Sequence, residues 1–293
     1  MWGFTHIVGC IMNDYIAYID TDSIFLSIFN WLKDNGIDEN IWEKIPQDKK
    51  IDYVKRISNE LENCTNYQSY NITQKQHYNS DEEDFKIVFE QEKIALSALF
   101  ITKKRYATWT LLNEGEWKND MTVTGLEVVR SDSPEIVKPM IKNVLAMILK
   151  SYGDDDIRKY ISQCKKKLKV CKPSEIAENK GINKLDKYEL ENFGHRKGTP
   201  HQVKGVISFK MLVDRLNITT DQPMNGNKAK VVYVKNNPFN VKSLSFVTWP
   251  KELDSVIYID FEKMIENNYI KKIKKILKLV DKEDLLNDDI GLF

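Results

Sequence analysis

Apolar and polar positions alternate with different periods in successive parts of the chain. Ile16-Ala-Tyr-Ile-Asp-Thr-Asp-Ser-Ile-Phe-Leu-Ser-Ile28 crowds β-branched and aromatic residues on both sides of a short polar centre, which predicts a β-hairpin. From 30 to 68, apolar residues such as Ile51, Val54, Ile57 and Leu61 recur at spacings of three and four, which predicts helix. The polar run 68–84, closing in Asp81-Glu-Glu-Asp84, reads as a loop with a solvated charge cluster. Strand character returns at Phe85–Phe89 and Ile94–Ile101. It continues in Tyr106–Leu112 and Met121–Val129, which the turn-prone Asn113-Glu-Gly115 separates.

Ser131-Asp-Ser-Pro134 offers cap residues and a proline at a first turn, a helix start. Ile136, Val137, Met140, Ile141, Val144, Leu145, Ile148 and Leu149 follow at helical spacing, up to Gly153. A Lys-rich helix is expected from about Asp154 to Val170. Beyond it the pattern predicts helix at 205–216, a strand at Ala229–Val234, a turn at Pro238, a strand near Leu244–Thr248 and a helix from Asp260 to about Leu279. The composition changes near residue 131. The expected fold is therefore α+β, with an antiparallel sheet in residues 1–131 and a mainly helical second part in residues 132–293.

Composition narrows the class. With 293 residues, 42% hydrophobic and 30% charged, the chain is globular and long enough for about two domains. Lys plus Arg is 44 against 43 Asp plus Glu, a net charge of +1. That excludes a uniformly basic coat protein and leaves room for local basic patches. Twelve glycines and eight prolines exclude collagen-like and low-complexity chains. Cys10, Cys64, Cys164 and Cys171 form no CxxC pair, and His6, His77, His195 and His201 do not complete a zinc site with them. No apolar run approaches about 18 residues, so no membrane span is expected. The first residues lack the features of a signal peptide, and a reducing, cytoplasmic compartment is the default.

The polar centre of the first hairpin holds the most specific chemistry. Asp20 and Asp22 are two residues apart, so in extended backbone they face the same side. Two converging carboxylates repel each other unless a cation lies between them, and magnesium takes such oxygen ligands together with substrate phosphates. Two-metal phosphoryl transfer uses this arrangement. A polar turn without metal would have the same residues.

The flanking residues sharpen that choice. Tyr18-Ile-Asp-Thr-Asp-Ser-Ile-Phe25 resembles motif C of the family B DNA polymerases, a palm signature. Lys103-Lys-Arg-Tyr-Ala107 resembles the family's K-K-x-Y motif, and Phe89-Glu-Gln-Glu-Lys-Ile94 with Leu99-Phe-Ile-Thr102 resembles the strands leading into it. Thr124-Gly-Leu-Glu-Val-Val-Arg-Ser-Asp-Ser-Pro134 is similar to the start of the family's thumb. Pro200-His-Gln-Val-Lys-Gly-Val-Ile-Ser-Phe209, Asn237-Pro-Phe and Val247-Thr-Trp-Pro250 look like the thumb of the T-even-type phage replicative polymerases. Leu286-Asn-Asp-Asp-Ile-Gly-Leu-Phe293 looks like that group's clamp-binding tail.

The resemblance implies a partial palm in residues 1–131 and a thumb in residues 132–293. It implies Asp22 as a direct Mg2+ ligand, Asp20 as a weaker one, and Glu92 as a further carboxylate near the metals. Lys103, Lys104, Arg105 and Tyr106 would hold primer-template DNA, with Gly125, Arg130 and Lys204 as further duplex contacts. The lysines of Lys165–Lys169 and Lys271–Lys275 are additional candidates, although Ile270, Ile273, Ile276, Leu277 and Val280 also make the latter the wet face of an apolar stripe. Leu286, Ile290, Leu292 and Phe293 would dock on a sliding clamp. Deoxynucleoside triphosphates are the implied substrates, and the setting is cytoplasmic, the host's if the chain is phage-encoded.

Several family motifs are missing. No motif A, motif B or exonuclease carboxylate motif occurs, and only 19 residues precede Asp20. The expectation is a split polymerase or a truncated product. Met1 read as a genuine start favours the split form. The two-metal site would then be shared with an N-terminal chain that carries the exonuclease, motif A and motif B. Two rivals remain: a non-catalytic DNA- and clamp-binding module derived from a polymerase, and an unrelated metal nuclease.

Overall fold

The computed structural model describes residues 15–20, 22–77, 88–126 and 133–287. The chain divides into two compact units, Met1–Thr122 and Val123–Phe293. The boundary expected near residue 131 lies within 127–132, outside the described residues. The α+β class holds, with antiparallel sheets.

In the first unit, strands β1 (Ile16–Ile19) and β2 (Ile24–Leu26) form the expected antiparallel hairpin, pairing Ile16 with Leu26, Tyr18 with Phe25 and Ile19 with Ile24. The Asp20 N–H donates to the Ser23 carbonyl at 2.9 Å and closes the turn. Helix α1 (Ile28–Asp34) ends at Gly36, whose φ of +73° is left-handed. Helix α2 (Glu39–Lys44) starts where the Asp38 carboxylate accepts from the Asn40 N–H at 2.7 Å. It stops at Ile45, held extended by Pro46.

Helix α3 then runs from Gln47 to His77. The loop expected from residue 68 is corrected over 68–77: this polar stretch has no glycine or proline, so helix propagation continues through it. Asp81–Asp84 lie outside the described residues.

Strands β3 (Lys93–Thr102), β4 (Arg105–Asn113) and β5 (Glu116–Thr124) follow as a sheet in that order. Glu114 and Gly115, at φ +50° and +78°, form the tight turn between β4 and β5. Ala107, Leu111, Leu112 and Met121 are buried, and the Thr110 hydroxyl donates to that of Thr122 at 3.2 Å.

The strand expected at Phe85–Phe89 does not form at Val88 and Phe89; 85–87 lie outside the described residues. Helix α3 satisfies this backbone instead. The Phe89 N–H donates to the Asn66 amide oxygen at 2.7 Å, the Asn66 amide donates back to the Phe89 carbonyl at 3.0 Å, and Glu62 accepts from the Gln91 N–H. With its hydrogen bonds met by side chains, the segment has no need of a neighbouring strand.

In the second unit, α4 (Val137–Leu149) buries Val137, Met140, Ile141, Val144, Leu145 and Leu149, the stripe expected from spacing. It closes at Lys150, and Gly153 is the cap of the next helix, not the stop of this one. That helix, α5 (Asp154–Lys169), has three aspartates in its first turn and lysines in its last, matching its dipole.

The sheet here is built on β9 (Lys228–Lys235). Strand β10 (Ser243–Phe246) pairs on one edge; β6 (Glu178–Gly181) and β11 (Tyr258–Ile259) pair on the other. Strands β7 (Glu189–Leu190) and β8 (Gly194–His195) form a separate small hairpin. Helix α6 (His201–Arg215) lies on β10 at Gly205, where a Cβ would come within 2.4 Å of the Ser245 hydroxyl. Ser243 and Ser245 donate to the His201 and Gln202 carbonyls at 3.1 and 2.7 Å.

The last long helix is α7 (Phe261–Ile265), a π-turn (Glu266–Ile270) and α8 (Lys271–Lys278) in sequence. Its buried residues are Met264, Ile265, Asn268, Tyr269, Ile273, Ile276 and Leu277. They recur every four positions, wider than the 3.6 of an α-helix, and the π-turn absorbs the difference. Asn268 donates from its amide to the Ile176 carbonyl at 3.0 Å.

Candidate functional site

The acidic hairpin and the basic β3–β4 turn, far apart in sequence, meet in the first unit. Tyr18, Phe25, Phe100 and Tyr106 form one aromatic cluster in which every pair is in contact. Tyr18 stacks on Phe100 with centroids 4.9 Å apart, and Phe25 meets Phe100 edge-on at 5.3 Å. Strand pairing explains two of these contacts: Tyr18 opposes Phe25 across β1–β2, and Phe100 opposes Tyr106 across β3–β4. Packing of the two hairpins supplies the rest, along with one polar tie. The Lys104 N–H donates to the Tyr18 hydroxyl at 2.7 Å.

That bond falls where the backbone is strained. Lys104 has φ +60°, a conformation that a side-chain-bearing residue adopts at a penalty of about 1–2 kcal/mol. The left-handed turn lets β3 reverse into β4 within two residues and leaves Lys103 and Lys104 exposed at its tip. Arg105 is half-buried, and Tyr106 belongs to the cluster. On the acidic side, Asp20 is half-buried and Asp22 exposed. Both lie in the turn and not within a strand, so strand alternation does not set their directions.

Other expected residues lie elsewhere. Glu92 precedes β3, at the end of the hairpin away from the lysine turn; it is exposed and ion-paired with Lys93 at 2.7 Å. Among the described residues no set of three His, Cys, Asp or Glu side chains forms a metal-holding group, so Glu92 does not join Asp20 and Asp22 in one. Gly125 has φ +63°, a conformation that glycine accepts freely. Arg130 lies outside the described residues. Lys204 is half-buried in the first turn of α6.

At the C-terminal end, a 3-10 turn (Glu283–Leu286) packs back on α5. Leu285 is buried, the Lys165 ammonium donates to the Leu286 carbonyl at 3.2 Å, and Arg158 pairs with Asp284 at 3.5 Å. Asn287, which follows the turn, is extended. Ile290, Leu292 and Phe293 lie outside the described residues. Among the described residues no helix is long and apolar enough to cross a membrane.

The aromatic cluster was not evident in the sequence. Tyr18, Phe25 and Tyr106 belong to the two motifs, but only the fold shows that they pack on Phe100 and on each other.

The model of DNA polymerase family B matches residues 59–280. The match includes the Lys103–Tyr106 turn, Gly125, Arg130 and Lys204. It begins after the Asp20–Asp22 turn. No curated protein matches the chain. The match covers well over half of the chain, and so the chain belongs to DNA polymerase family B.

Proposed function

We propose that the chain is the C-terminal part of a DNA-directed DNA polymerase, with part of the palm in residues 1–131 and the thumb in residues 132–293. Asp20 and Asp22 are its motif C carboxylates, and Lys103, Lys104, Arg105 and Tyr106 grip the primer-template duplex. The observation that carries this reading is the aromatic cluster with its Tyr18–Lys104 bond, which joins an acidic turn to a cationic one. A nucleotidyl transferase needs both: oxygen ligands for metal and cations for the phosphates of the growing end.

The donor set fits magnesium in part, since both turn residues offer hard oxygens and Asp22 is open to solvent. When bound, the ions would neutralise the triphosphate and lower the pKa of the attacking hydroxyl. The chain's own residues do the rest: the carboxylates fix where the ions sit, and the lysine turn orients the duplex. No covalent nucleophile is required, so positioning dominates.

Further ligands come from a partner chain that carries motif A, motif B and the exonuclease. Exposed Ile16, Ile19, Ile24 and Leu26 on the acidic hairpin support this, because they offer an apolar surface for another strand to cover. The tail with Leu286, Ile290, Leu292 and Phe293 would reach a sliding clamp from the root that Lys165 anchors.

Primer extension with Mg2+ and deoxynucleoside triphosphates tests the proposal. The chain alone should be inert and should become active when mixed with a family B chain that carries motifs A and B. Robust extension by the chain alone would overturn the shared site. Duplex binding that never becomes extension would favour the non-catalytic module.

A further inference from the structure

The first unit has a cleft of about 560 Å³ between α2 and α3, within the range of small-ligand sites. Trp42, Tyr53, Ile37 and Ile45 make it partly apolar. Trp42 and Tyr53 meet edge-on with centroids 5.7 Å apart, and Trp31 meets Tyr53 at 6.0 Å, so the rings brace one another. Lys50 lies over Trp42 at 5.7 Å and donates to the Glu43 carbonyl.

Lys49, Lys55 and Arg56 also line the cleft. Among the described residues none of the three has a carboxylate partner at ion-pair distance, although Arg56 lies over the Tyr53 ring at 5.8 Å. Three cations beside two supported rings form a surface that polar packing within the unit does not consume. Nothing in the proposed polymerase chemistry uses it.

We propose that this cleft binds single-stranded nucleic acid. A base has a flat π-face that stacks on Trp42 or Tyr53, and the adjoining phosphates meet Lys49, Lys55 and Arg56. Asp52, also in the cleft, can accept from the exocyclic N–H groups of a base. A paired duplex cannot offer its base faces, so the cleft selects unpaired strand. This goes beyond the duplex grip proposed for the Lys103–Lys104 turn and does not depend on it.

The test uses the full chain and two fluorescein-labelled probes, a twelve-nucleotide single strand and a hairpin duplex, read by anisotropy over a salt series. Lys49→Gln with Arg56→Gln should weaken single-strand binding about tenfold, flatten its salt dependence and leave duplex binding unchanged. Lys103→Gln with Lys104→Gln should do the reverse, so a failure of the polymerase reading is distinguishable from a failure here. Circular dichroism confirms that the variants are folded.

Photocrosslinking of a bromodeoxyuridine-containing strand to the unaltered chain gives a second readout, and the adduct should map to Trp42 or Tyr53. Unchanged single-strand affinity in the Lys49/Arg56 variant would overturn the proposal. So would an adduct confined to other residues, or displacement of the strand by polyglutamate at equal charge concentration.

Discussion

At the residue scale, the proposed roles assign chemistry to the acidic turn and affinity to the basic one. Asp22→Ala should lower extension by the reconstituted pair at least about a hundredfold, because a metal ligand acts where charge develops. Lys104→Ala should mainly raise the dissociation constant for primer-template, reduce the salt slope by about one, and recover at low salt. Near-normal turnover with Asp22→Ala would overturn the assignment.

His201 supplies a residue-scale test of a different kind. Its ring stacks on Tyr233 at 5.6 Å, and its Nε2 is buried without a hydrogen-bond partner. Burial holds its pKa below the ordinary histidine value; Glu178 opposes this, while Lys180 and Lys263 add to it. The folded state therefore binds the proton less readily than the unfolded chain. The resulting stability is fully present above the unfolded pKa, about 6.5, and is lost as pH falls through the depressed folded value. Urea denaturation between pH 7.5 and pH 5 should show a falling midpoint that His201→Gln flattens.

At the element scale, the contact of α6 with β10 is the most exacting in the second unit. Gly205→Ala would place a methyl within 2.4 Å of the Ser245 hydroxyl and 2.9 Å of its backbone nitrogen. Because backbone as well as side chain must move, a destabilisation of about 1–3 kcal/mol is expected in urea titrations. Periodicity made most elements legible, including β1–β2, α4, α5 and β9. It failed where other forces dominated. Helix α3 outran its polar sequence because nothing broke it, and the 88–92 segment gave up strand pairing to Asn66 and Glu62. The two-residue strands escaped notice because so short a run has no period. At the site, both motifs were legible as chemistry, but their union through Phe100 is a tertiary fact that no local pattern encodes.

At the scale of the whole molecule, the family match and the acidic turn concern different stretches of chain: the match begins at residue 59, beyond Asp20 and Asp22. The lysine turn and the part of the chain after it thus lie within the family match, independent of the metal reading. The β1–β2 ribbon has a further consequence, for handling of the protein. Two strands are too few to be stable alone, and among the described residues β1 and β2 pair only with each other. Ile19 and Ile24 remain 54% and 52% exposed. A short ribbon with open edges and greasy side chains is a template for its own kind. The purified chain should therefore self-associate as its concentration rises, visible as growing light scattering, and Ile19→Lys with Ile24→Glu should suppress this without unfolding either unit. Solubility in the test tube would then report whether that ribbon is covered.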